Sequence, residues 1–127
     1  MKFFFDNNLS HHLADGLRGF GEEAEHITET FQADTADEVW LQHIGNSGMF
    51  LITRDHRIHW RPNELAALRK HNVGAFFLGG KNRNRCELIQ QVVRNWPGIK
   101  ELAAKSHRPF AFRVPPSGKT ITPLICW

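Results

Sequence analysis

The chain has 127 residues, of which 41% are hydrophobic and 23% charged, with 16 Lys and Arg against 13 Asp and Glu. That size fits one domain, residues 1–127, with a core of its own, and the composition excludes disordered and fibrous classes. Cys86 and Cys126 are far apart with no CxxC pair, so no disulfide framework is expected and a reduced, cytoplasmic setting fits. No stretch approaches the roughly 20 apolar residues of a membrane span. The opening apolar run stops at Asp6 after three Phe, unlike a signal peptide.

In chain order, Lys2–Phe5 reads as a short buried strand. Leu9, Leu13 and Leu17 form an apolar helical stripe that ends at Gly19 to Gly21. A weakly patterned strand follows over residues 23–27. Thr35, Ala36, Asp37 and Glu38 match a capping box, opening a helix expected to bury Val39, Trp40, His43 and Ile44. Residues 49–53 are an uninterrupted apolar strand of the kind covered on both faces. Pro62 suits the first turn of a helix reaching Lys70, and residues 73–78 form another buried strand. Leu88, Ile89, Val92, Val93 and Trp96 share one helix face, which Pro97-Gly98 is expected to break before a short helix to Lys105. Phe110, Phe112 and Val114 alternate as a half-buried strand, and Pro123 suggests an edge position for the last one. The order predicts an α/β domain: a parallel sheet with helices on both sides and a C-terminal β-hairpin.

Asp6 and Asp55 each follow a short apolar strand. If those strands run parallel, both carboxylates emerge at the sheet's C-terminal edge, where open α/β sheets bind ligands. Asp37 opens the helix leading into the second of these strands, and such helices begin at the same edge. Singly, each acid has an ordinary role as a cap or turn residue. Jointly they form a hard oxygen set of the kind Mg2+ or Mn2+ prefers. A cation held there can activate water and offset charge on a phosphate. Glu38 points about 100° away from Asp37 around the helix, and Asn7 and Asn8 are placed to orient Asp6 or a water, so these three read as supporting groups.

Arg54, Arg57 and Arg61 crowd around Asp55, and Lys81 and Arg83 follow the next strand. Cations flanking a carboxylate nest suit a metal-dependent phosphodiesterase, whose substrate carries its own negative backbone. Trp60 is equally a base-stacking platform and a core residue. His11 and His12 are adjacent, so their imidazoles are expected to diverge on a helix and to be plain surface groups.

The segments Phe4-Phe5-Asp6-Asn7-Asn8-Leu9, Ala36-Asp37-Glu38 and Leu51-Ile52-Thr53-Arg54-Asp55, in that order, resemble the PIN-like domains, and within them the VapC-type toxin-like branch. The resemblance runs from Met1 to about Ile99. It implies a three-layer α/β/α sandwich with a mainly parallel central sheet and a metal-dependent endoribonuclease site. Carried over, Asp6, Asp37 and Asp55 become ligands of Mg2+ or Mn2+, RNA the substrate, and a cognate antitoxin and a homodimer the partners. Two departures stand out: related chains commonly read Asp-Glu-Asn where this one reads Asp6-Asn7-Asn8, and carry a further acid where Arg57 stands. These keep a second outcome open, a catalytically inactive PIN-like module that binds a partner or RNA.

Overall fold

The structure, a computed structural model, describes residues 1–54 and 62–125. Strands β1 (Lys2–Phe5), β2 (Glu23–His26), β3 (Phe50–Arg54), β4 (Gly74–Leu78), β5 (Phe110–Val114) and β6 (Thr122–Ile125) form one sheet in the order β2-β1-β3-β4-β5-β6. All neighbours are parallel except β5 and β6, which close the sheet as an antiparallel hairpin. Helices α1 (His11–Gly19), α2 (Asp37–Ser47), α3 (Pro62–Lys70) and α4 (Arg85–Lys105) connect the strands. The predicted α/β class and element order are those of the molecule.

Strand alternation sorts the core into two layers. Phe3, Phe5, Phe50, Ile52, Phe76 and Leu78 face α1 and α4, meeting Leu13, Leu17, Leu88, Val92 and Trp96. Phe4, Leu51, Ala75 and Phe77 face α2 and α3, meeting Trp40, Leu41, Ile44 and Leu68. Both faces of the sheet are therefore dry, which explains the unbroken apolar runs of the central strands. The steps β3 to β4 and β4 to β5 go the same way across the sheet, yet their helices lie on opposite faces. The two crossovers thus have opposite hands, and α2 and α3 share the second face without α4.

Three local expectations are corrected. The N-cap of α2 is Ala36, one residue later than the Thr35 box requires, and it makes no side-chain cap bond. Glu38 is then the second helical residue, out of phase for reaching back, and its carboxylate instead meets Lys70 Nζ at 2.9 Å and His71 Nε2 at 2.6 Å. A capping box does open α4, where Asn84 Oδ1 accepts from Glu87 N–H at 2.8 Å and Glu87 Oε1 from Asn84 N–H at 3.1 Å. Second, Pro97 does not break α4, which runs unbroken for 21 residues. Proline leaves the Val93 carbonyl without its helical donor, but Val93 and Pro97 lie on the exposed face, where the carbonyl is open to solvent. Third, Val39 and Val93 are 51% and 47% exposed, while Leu41 takes a buried place in α2.

Buried Gln91 fastens α4 to the sheet's C-terminal edge. Its Nε2 donates to the carbonyls of Gly79 (2.9 Å), Pro115 (3.0 Å) and Val114 (3.2 Å). Leucine fills similar space but leaves those carbonyls without this donor, so Gln91→Leu is expected to cost about 2–4 kcal/mol in urea denaturation. Stability within 0.5 kcal/mol of the parent would contradict that role.

Candidate metal and nuclease site

Asp6 leaves β1 one residue past Phe5, which pairs with Ile52 of β3. Only 4% of the residue is exposed. Thr53 Oγ1 donates to its Oδ2 at 2.5 Å, Asn8 N–H to its Oδ1 at 3.1 Å, and Asn8 Nδ2 to its Oδ2 at 3.5 Å. Among the described residues no Lys, Arg or His pairs with it. Burial pushes its carboxyl up from 3.8 to about 6. The bonds from Thr53 and Asn8 work against that rise, and the negative charge of Asp37 adds to it.

Asp37 is the first residue of α2, where the helix dipole favours a carboxylate. Its Oδ1 accepts from Trp40 Nε1 at 3.1 Å, and Trp40 in turn stacks on Phe4 with ring centroids 6.0 Å apart. Asp6, Asn8, Asp37 and Glu38 all line one cleft of about 760 Å³ between α2, α3 and the sheet edge. The Lys70 ammonium and the His71 ring hold the Glu38 carboxyl below its ordinary range, so Glu38 stays ionised on the cleft wall, paired with those two groups rather than clustered with both other acids.

The remaining site residues divide. Asn7 is exposed and Asn8 carries the contacts to Asp6. Arg54 ends β3 in register with Leu78, so strand alternation places it opposite Thr53, toward the α1 and α4 layer. Lys81 is exposed just past β4. Arg83 Nη2 donates to Pro116 O at 2.9 Å and its guanidinium lies 3.6 Å from Glu87, so it braces the hairpin turn. Asp55, Arg57 and Arg61, together with Trp60, lie outside the described residues.

Thr53 and the α3 wall of the cleft belong to the site without having been singled out in the sequence. Asn63, Ala66, Ala67 and Lys70 fall at i, i+3, i+4 and i+7 and all line the cleft. A helix stripe of small and polar residues, where a buried helix would carry Leu or Ile, is the readable sign of a space left open.

The donor set fits a hard divalent ion. A carboxylate this buried, facing a second acid and lacking a cationic partner among the described residues, is disfavoured as an anion until positive charge arrives. The model of a family described as PIN like domain matches residues 1–80, from β1 through β4. The chain belongs to the PIN-like domain family. The match contains Asp6, Asp37 and Asp55 and ends before α4 and the hairpin. Neither the curated proteins nor the solved structures compared with this PIN-like chain give a match. No helix among the described residues is long and apolar enough to cross a membrane.

Proposed function

We propose that this PIN-like domain is a metal-dependent endoribonuclease that hydrolyses RNA phosphodiester bonds, with Asp6, Asp37 and Asp55 as its catalytic acids. The observation that carries the reading is the pairing of buried Asp6 with Asp37 in one cleft. These acids, with Asp55 one residue past the end of β3, would hold Mg2+ or Mn2+, whose chemistry is charge neutralisation at a phosphate and acidification of a water.

The chain's own residues fix the geometry. Thr53 and Asn8 set the Asp6 carboxylate and Trp40 sets that of Asp37, so little reorganisation is needed as charge develops on the phosphate. Lys81, exposed past the C-terminal end of β4, is proposed to hold the RNA backbone with Arg57 and Arg61, and Arg54 to reach it around the sheet edge from the opposite face of β3. Arg83, just before α4, is proposed to join them, although Glu87 offsets part of its charge. The VapC-type likeness of the three acidic segments extends the proposal to the toxin of a toxin–antitoxin pair, acting as a homodimer and restrained by an antitoxin protein.

Single-stranded RNA incubated with the protein and Mn2+ is expected to be cut internally. EDTA should stop the reaction, and Asp37→Asn should slow it by about 100-fold or more. Cleavage that survives both treatments refutes the mechanism. A folded chain that neither cuts RNA nor binds Mn2+ supports the inactive binding module instead, the reading that Asn7 and Arg57 keep open.

A further inference from the structure

We propose that His11, His12 and Asp15 form a binding site for one divalent transition ion of the zinc, cobalt or nickel class, built from residues other than the acids of the cleft. Neighbouring helix positions diverge by about 100°, which argues against two adjacent histidines sharing a ligand. Here both rings turn to one carboxylate. His11 Nδ1 lies 3.1 Å and His12 Nδ1 3.9 Å from Asp15 Oδ2, and the ring centroids are 4.1 Å apart. The convergence follows from spacing: His11 stands at i, i+4 and His12 at i, i+3 to Asp15, the two offsets that meet on a helix surface.

One ligand atom from each residue can be chosen so that all three lie within 4.8 Å of one another. Donors of a single tetrahedral ion at about 2.0–2.1 Å sit about 3.3 Å apart, so closure asks only for small rotations of exposed side chains. Three protein donors leave a fourth position for water.

The carboxylate is already oriented from behind. Arg18 Nη2 holds Asp15 Oδ1 at 2.5 Å, leaving Oδ2 turned to the imidazoles. Arg18 is fixed in its turn by both oxygens of Glu29, at 2.8 and 2.9 Å, and by the Ala24 carbonyl at 3.0 Å. Glu29 offsets the guanidinium charge, so the cluster keeps the negative charge of Asp15. Hydrogen bonds from His11 and Arg18 hold the Asp15 carboxyl below its ordinary range, keeping it ionised at neutral pH. The helix dipole at the start of α1 opposes a cation only weakly, by an amount that falls off within one turn. Two imidazoles and one carboxylate select borderline ions, whereas the all-oxygen cleft suits hard ones.

The test is a Co2+ titration of the full chain in excess Mg2+, read by visible absorption and by the imidazole NMR signals of His11 and His12. One equivalent of Co2+ should bind and shift both rings. Affinity should fall about tenfold or more in His12→Gln and vanish in the His11→Gln/His12→Gln double variant, with the far-ultraviolet dichroism unchanged. Asp37→Asn should keep the cobalt equivalent, which separates this site from the nuclease reading. No Co2+ uptake by the parent chain, or uptake that the double variant retains, would overturn the proposal.

Discussion

Asp6→Asn is expected to stabilise the metal-free protein at pH 8 by up to about 3 kcal/mol while removing RNA cleavage. Burial lifts the folded carboxyl from its ordinary 3.8 to about 6, so folding favours its protonated form. Below pH 3.8 both states hold the proton and nothing is lost. The cost of the buried anion grows between 3.8 and 6 and is complete above 6. The variant's advantage should therefore be full at pH 8 and gone by about pH 4. Asn retains an acceptor for the Asn8 N–H, and the Thr53 hydroxyl can accept from the new amide, so the two shorter bonds survive and only the 3.5 Å bond from Asn8 Nδ2 is lost. Urea denaturation in EDTA at both pH values measures the effect. A variant less stable than the parent at pH 8 would show that the parent carboxylate is not held at a cost.

Gly45→Ala is expected to destabilise the domain by about 3 kcal/mol or more, with cleavage lost alongside. A methyl there would lie 2.0 Å from the His71 carbonyl oxygen and 3.1 Å from its carbon. The obstacle is backbone, so no rotamer change relieves it, and α2 must retreat from the segment after α3. That segment is also tied to the start of α2 through His71 Nε2 and Glu38. Since Asp37 precedes Glu38, a displaced helix carries a cleft acid with it. Thermal melting and the nuclease assay together check this. Stability within 0.5 kcal/mol of the parent would show that the helix gives way more easily than its packing implies.

What could be read in advance followed the strength of local signals. Three consecutive Phe before Asp6 encode a strand buried on both faces, and their alternation between two layers follows from the pleat alone. Placing Asp6 and Asp37 at one edge needed only parallel order. The misreadings came where tertiary contacts overrode local pattern. Thr35-Ala36-Asp37-Glu38 has the letters of a capping box, but Lys70 and His71 draw Glu38 away and the helix starts one residue late. Pro97 looks like a stop, yet its missing donor faces water in a helix whose other side is anchored by Trp96 and Ile99. Thr53 read as one more apolar-run residue, and its contact with Asp6 came into view only once β1 and β3 were paired. The third acid, Asp55, rests on its place in the sequence.

The most direct measurement of the central claim is carboxyl 13C NMR of Asp6 across pH, without and with saturating Mg2+. The account predicts a titration near pH 6 in the metal-free protein that moves well below its starting value with Mg2+, because a shared cation stabilises the anion. An Asp6 signal that titrates at the same pH in both solutions would contradict it.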